Sequence, residues 1–161
     1  MFEHLSNPEY LHVLLNPLPV YGLAMGVLAL VVALFSGARA ARVTALTIVF
    51  VSAISAWPVY SFGEQAFNRV LTLADADGAK WLAEHQRRGE QLIYAFYAVA
   101  LFAAAAAGAE RLAPRTAVPL AVATVVLATG TLGAGGYIAS AGGRIRHREF
   151  RYVLPPEESA K

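Results

Sequence analysis

The sequence predicts an all-α integral membrane protein, an antiparallel up-down-up-down bundle of four spanning helices. Four long apolar runs contain no Asp, Glu, Lys, Arg or His, and together they account for more than half of the 161 residues. Each run has about 19 residues or more, the length that an α-helix needs to cross a hydrocarbon core of about 30 Å. The runs are residues 18–36, 43–62, 91–109 and 116–143. Short connections make the first two spans, and the last two, antiparallel neighbours within a single domain, residues 1–161.

Span one is expected to begin near Leu18, after a short interfacial arm. Pro19 is acceptable there, because the first turn of a helix lacks the hydrogen bonds that proline cannot make. The run is too long, and its preceding flank too poor in basic residues, for a cleaved signal peptide. Gly22 and Gly26 form a small-xxx-small pair, which lets another helix approach closely in lipid.

Span two contains Trp57 and Pro58 near its end, which predicts a kink and an aromatic anchor at the interface. Residues 63–90 form the sizeable extramembrane segment. Apolar residues between Ala66 and Leu73 recur at near-helical spacing, which predicts a short amphipathic helix on the membrane surface between spans two and three. A turn follows, where Asp77 is expected to cap the next helix.

The helix that begins near Ala79 is expected to run unbroken into span three, because no proline interrupts it before Pro114. This places His85 in the interfacial zone, about 10 Å beyond the apolar run. Alanines in span three and glycines in span four predict close packing between these two helices. The glycines concerned are Gly130, Gly133, Gly135 and Gly136.

Composition excludes several function classes. The chain has no cysteine, so it has no disulfide or thiolate metal site. Its net charge of +2 is dispersed among acids and flanks the spans, which argues against nucleic-acid binding. Spans without charged residues argue against a proton pump or ion-coupled transporter. No nucleophile or nucleotide-binding motif appears, which argues against an enzyme. The enzymatic alternative is a metal that activates water or oxygen, with Glu90 or Glu149 as the base.

Four crossings bring both termini and residues 63–90 to one side of the membrane, together with every histidine. We predict His85 and His147 as the principal ligands of a haem b or a transition metal ion, with His12 as the third. Possible partners or alternative ligands are Glu64, Glu90 and Glu149. The simpler interpretation is that interfacial histidines reach headgroups or loop backbone, and His4 is expected to be a tail residue.

Arginines are concentrated in the sequence that follows span four. They are Arg144, Arg146, Arg148 and Arg151. Such a cluster is typical of a headgroup anchor, and it is also suited to pairing with haem propionates or with a partner protein.

The stretch HVLLNPLPV, from His12 to Val20, resembles the His-Pro-x-x-x-His-Phe-Pro-Ile opening of the domain-of-unknown-function family twenty-two thirty-one, bacterial four-span membrane proteins. His12 and Pro19 match the first histidine and the later proline, whereas Pro17 replaces the second histidine. WLAEHQRRGE around His85 is similar to the opening of that family's third span, and GGRIRHREF to its Gly-Gly ending. The resemblance covers nearly the whole chain and implies a four-span fold with redox or haem-linked roles.

The sequence therefore predicts a small bundle in the bacterial inner membrane that binds a haem or metal ion at one face and acts as a redox or electron-transfer component. The span-one flanks favour termini on the outer side, whereas the raw count of basic residues favours the cytoplasm. The alternative is a cofactor-free structural or assembly subunit. Its glycine faces would pack against membrane protein partners or a second copy.

Overall fold

The computed structural model describes residues 6–156, and every regular element in that range is helical. The helices are α1 (Pro8–Leu15), α2 (Leu23–Ser36), α3 (Arg39–Ile54), α4 (Ala56–Leu73), α5 (Ala76–Leu112) and α6 (Pro114–Arg146), with a π-helical turn at Leu18–Gly22 and a 3₁₀ turn at Arg148–Phe150. Four helical stretches are long and apolar enough to cross a membrane: Pro8–Ser36, Arg39–Leu73, Ala76–Leu112 and Pro114–Arg146. The prediction of four long apolar helices is confirmed. His4 lies outside the described residues.

The N-terminal arm is itself helical, which corrects the expected start of span one near Leu18. Helix α1 begins at Pro8, where the missing N–H of proline costs nothing. The π-helical turn then joins α1 to α2 and contains Pro19, which is buried. The wider i→i+5 bonding of this turn accommodates a proline between two helical stretches. The first apolar helix is therefore about three turns longer than the sequence suggested.

The second apolar stretch is interrupted at Ser55, close to the kink predicted near Pro58. Pro58 cannot donate to the carbonyl of Ile54, and its ring crowds that carbonyl, so the regular helix stops at this point. Helix α4 then continues without a break to Leu73. The separate amphipathic helix predicted between spans two and three is thus wrong: those residues are the second half of α4.

Helix α5 is a single helix from Ala76 to Leu112, as the absence of proline predicted. Its N-cap is Asp75, whose side chain accepts a 2.7 Å hydrogen bond from the Gly78 N–H. Asp77, the expected cap, lies in the first turn instead. There its negative charge favours the helix through the dipole.

Small residues allow the helices to pack closely, although the residues concerned differ partly from those expected. A Cβ on Gly26 would lie 2.9 Å from Val49 Cγ2, and one on Gly22 would lie 2.7 Å from Ser52 Oγ. Both glycines therefore pack against α3 of the same chain. The contact between α5 and α6 is made by buried alanines and by Gly135, whose Cβ would meet Phe96 and Val20 at 3.4 Å. The alanines are Ala103, Ala106, Ala121 and Ala128.

The other predicted packing glycines of α6 face away from the described bundle. A Cβ added to Gly130, Gly133 or Gly136 would meet nothing within 4 Å. The expectation that these three residues pack span four against span three is therefore corrected. On a helix, residues three apart share a face, so they form one open stripe.

Candidate functional site

His12 lies on α1 and is held by α4. Its Nδ1 atom lies 2.8 Å from the carbonyl oxygen of Val59. A Cβ on Gly63, one turn further along α4, would lie 2.9 Å from the same Nδ1 and 3.0 Å from Cε1. The imidazole thus occupies space that only a glycine leaves open. A salt bridge between Glu9 and Arg69 ties α1 to α4 a second time.

His85 is held in the same way, by α6. Its Nδ1 atom lies 3.0 Å from the carbonyl oxygen of Ile138. A Cβ on Gly142, one turn further along α6, would lie 3.0 Å from its Cε1. Each ring is therefore placed between a backbone carbonyl and a glycine of the helix behind it.

The two rings are neighbours, with centroids 6.1 Å apart and planes nearly perpendicular at 87°. A carbonyl oxygen only accepts hydrogen bonds, so Nδ1 must carry the proton in both His12 and His85. In the neutral rings, each Nε2 then presents a lone pair. Histidines that ligate metals commonly donate their other N–H to a backbone carbonyl, which fixes both the tautomer and the ring orientation.

The separation of the rings suits ligation of a single ion. Two imidazoles that bind one ion through Nε2 at about 2 Å have centroids roughly 6 Å apart, because each centroid lies about 1 Å behind its nitrogen. The centroids of His12 and His85 have this separation. We call them the histidine pair.

The histidine pair lines a cavity of about 560 Å³. Ligand pockets in proteins typically have volumes of about 300–1,000 Å³. The wall is mainly aliphatic and aromatic, with residues such as Val59, Phe67, Ile93 and Phe96, and glycines from α4, α5 and α6 also contribute. The polar groups of this wall include His12, His85, Glu64 and Arg146. An apolar wall with few convergent polar groups is typical of a cofactor or small-molecule site.

His147, one of the two predicted principal ligands, is placed elsewhere. Its ring stacks on Phe150 at a centroid distance of 5.0 Å, and its Nδ1 lies 2.9 Å from Glu149 Oε1. Both side chains of this ion pair are more than half exposed. Neither residue is among the described residues that line the cavity. The structure thus brings together His85 and His12, and leaves His147 outside that pair.

The three carboxylates predicted as partners or ligands do not lie together in the structure. Glu64 lines the cavity and accepts a 2.8 Å hydrogen bond from the Tyr60 hydroxyl. Glu90 is exposed and is not among the described lining residues. In the part of the chain that the structure describes, no group of three or more His, Cys, Asp or Glu is arranged to hold a metal ion.

A buried ion pair beside His85 was missed at the sequence level. Arg88 is 6% exposed and bonds to Glu84 at 2.7 Å, with its guanidinium 3.7 Å from the Tyr137 ring centroid. It also donates to the Tyr137 carbonyl at 2.7 Å and to Ser140 Oγ at 3.0 Å. Arg88 thereby fixes the part of α6 whose Ile138 carbonyl holds His85. The signal that could have found it is the i,i+4 spacing of glutamate and arginine on one helix.

No protein-family model, no curated protein and no solved structure matches the chain. The site is therefore interpreted from its own geometry.

Proposed function

We propose that the protein is a multi-pass membrane protein that binds haem b between His12 and His85 and acts as a one-electron carrier in the bacterial inner membrane. Its four apolar helices would cross the bilayer up-down-up-down, with both termini on the outer side. The resemblance of the His12 and His85 segments to family twenty-two thirty-one is part of the proposal.

Exposed apolar side chains support insertion in a membrane. Phe35 is 90% exposed, Leu101 68% and Val126 66%, all on the long apolar helices. Side chains of this kind are stabilised by lipid and are rarely grouped on the surface of a soluble monomer. A bilayer would surround these faces.

The observation that supports the haem assignment is the histidine pair, in which both Nδ1 atoms bond to carbonyls and the centroids lie 6.1 Å apart, so that a ligand would bind through Nε2. Haem suits two imidazoles because its porphyrin supplies the other four nitrogen ligands of the iron. A structural zinc site normally takes four protein ligands. Bound haem would supply one-electron redox chemistry.

The residues around the pair would keep this ligand set fixed. Gly63 and Gly142 give the two rings space, and the carbonyls of Val59 and Ile138 hold the protons away from the cavity. The wall is mainly apolar, and low polarity around a redox group is one means by which a protein sets its potential.

Absorption spectroscopy of the purified protein in detergent tests the proposal. Protein produced with sufficient haem should show a Soret band and a stoichiometry of one haem per chain by pyridine haemochrome assay. His12→Ala and His85→Ala should each change the band or lose the haem. His147→Ala is the matched control and should leave the spectrum unchanged. A folded protein that binds no haem, or a spectrum that depends on His147 and not on His12, contradicts the assignment.

A cofactor-free subunit of a membrane complex is the second candidate, and the open glycine stripe of α6 favours it. Gly22 and Gly26 pack against α3 of the same chain, whereas Gly130, Gly133 and Gly136 form an open stripe on α6 to which a partner helix could bind. Gly133→Leu should then abolish copurification of stoichiometric partners. Recovery of a solitary, haem-loaded protein counts against this candidate.

A further inference from the structure

Three of the four arginines at the C-terminal end of α6 are engaged within the chain. Arg144 donates to the Phe150 carbonyl at 3.1 Å and stacks over Trp81 at 4.6 Å. Arg148 and Arg151 both pair with Asp75, at 2.9 Å and 3.0 Å. These contacts fix the C-terminal segment against the start of α5.

Arg146 differs from its neighbours. It lines the cavity of the histidine pair, and it makes no hydrogen bond or ion pair to any residue in the range 6–156. It is also the one lysine or arginine among the described lining residues. The cavity therefore has a cation for which the described residues supply no partner.

The position of Arg146 on α6 relates it directly to His85. Ile138, Gly142 and Arg146 follow at intervals of four, so they lie on one face of the helix. Ile138 bonds to the His85 ring, and Gly142 touches it. Arg146 is one turn further along, about 6 Å along the axis, toward the end of α6.

The carboxylates that line the cavity have partners of their own. Glu9 is paired with Arg69, and Glu64 accepts from Tyr60. An anionic group of a ligand would be repelled by these two side chains and attracted by Arg146. The carboxylates of the cavity thus lie on α1 and α4, and its arginine lies at the end of α6.

We propose that Arg146 binds the propionate carboxylates of the haem. This inference rests on the proposed function. It adds that the propionate edge of the haem would lie toward the end of α6. The guanidinium is planar and always charged, and it matches a carboxylate with two parallel hydrogen bonds. A bare metal ion or a quinone has no carboxylate for Arg146 to bind, whereas haem b has two.

Titration of the apoprotein in detergent with two probes, haemin and haemin dimethyl ester, tests the inference. The ester keeps the iron and macrocycle but removes both negative charges. The wild-type protein should bind haemin about threefold to tenfold more tightly than the ester, as expected for a charge-assisted bond at a partly exposed site. Arg146→Ala should remove this preference, and Arg146→Lys should keep part of it. Arg148→Ala, an arginine at the same end that does not line the cavity, should preserve it.

The outcomes separate this inference from the proposed function. Equal binding of haemin and ester by the wild-type protein, or a preference that Arg146→Ala leaves unchanged, overturns the role of Arg146 while leaving the histidine pair as ligands. Failure of the wild-type protein to bind either probe overturns both. Loss of the preference with retained binding of the ester supports both, and circular dichroism of the variant shows that it remains folded.

Discussion

The imidazole rings of His12 and His85 lie 6.1 Å apart at the centroids and nearly perpendicular to each other, although one belongs to the first helix of the chain and the other to the fifth. Each ring is positioned by a carbonyl and a glycine of yet another helix. The spacing therefore depends on the packing of four helices. Substitutions that move one of these backbones or rings are the most direct tests of the arrangement.

Gly142→Ala should weaken haem binding without unfolding the protein. The new Cβ would lie 3.0 Å from His85 Cε1 and 3.1 Å from Nδ1, so the ring must move. Affinity should fall about threefold to tenfold, because forcing a side chain off its rotamer costs about 0.5–1.5 kcal/mol. Haem titration measures this. Gly136→Ala, in the same helix with nothing within 4 Å of its Cβ, is the control, and equal affinities of the two variants would refute the tight fit.

Alanine at Gly26 and at Gly130 should change stability in opposite directions. At Gly26 the Cβ would lie 3.1 Å from the backbone nitrogen of Val49, and overpacking of this kind typically costs about 1–3 kcal/mol. At Gly130 the Cβ meets open space, and alanine favours a helix interior by roughly 0.5–1 kcal/mol. Reversible unfolding in mixed micelles measures both. A change of the same sign at the two positions would show that Gly26 is not a close-contact residue.

The ion pair at the opposite end of the helices should be important for stability. Arg42 donates to Glu110 at 2.6 Å and 3.1 Å, and the two side chains are 12% and 3% exposed. Glu110→Gln leaves a buried guanidinium without its counter-charge, which we expect to cost about 3 kcal/mol. Glu9→Gln, which breaks the more exposed pair with Arg69, should cost less than about 1 kcal/mol. Similar losses in free energy of unfolding would contradict the buried character of the first pair.

Asp75 should make the C-terminal segment sensitive to acid. Hydrogen bonds from Arg151, and next from the Gly78 N–H, lower the pKa of Asp75 from 3.8 to about 2. Because the folded pKa is the lower one, ionised Asp75 stabilises the fold above pH 3.8, and this stabilisation is lost as the pH falls toward about 2. The drop in melting temperature over this window should be smaller in Asp75→Asn than in the wild-type protein. Asp77→Asn, two residues away, should keep the wild-type slope. A wild-type slope in Asp75→Asn would rule out the linkage.

The four long apolar helices could be predicted from the sequence, because an uncharged apolar run of about 19 residues forms few structures other than a helix. It also predicted that α5 runs from the connector into span three, since no proline lies before Pro114. The continuity of α4 and the helical arm were not predicted. Gly63, Pro17 and Pro19 do not show from the sequence whether a helix continues through them. Each residue type is tolerated in some helices, and tertiary packing determines whether the helix continues.

The candidate site could be predicted in part. His12 and His85 were both candidates because they flank apolar runs at one end of the bundle. Their pairing depends on α1 lying along α4, a tertiary contact that no local pattern encodes. His147 follows α6 closely in sequence, but the helix ends at Arg146 and the chain turns outward, where Glu149 and Phe150 engage the ring. The role of Arg88 was not predicted because its partners on α6, which include the Tyr137 carbonyl and Ser140 Oγ, are about 50 residues away in the sequence and carry no opposite charge.

The π-helical turn at Leu18–Gly22 sets the angular phase of everything that precedes it. Conversion of these five residues into an ordinary α-helix, with none removed, would add about one residue's rotation and would swing α1 by roughly 100° about its axis. Hydropathy and overall length would hardly change, yet the imidazole of His12 would point to a different neighbour. A substitution that regularises this turn would thus separate His12 from His85 while leaving the long apolar helices intact.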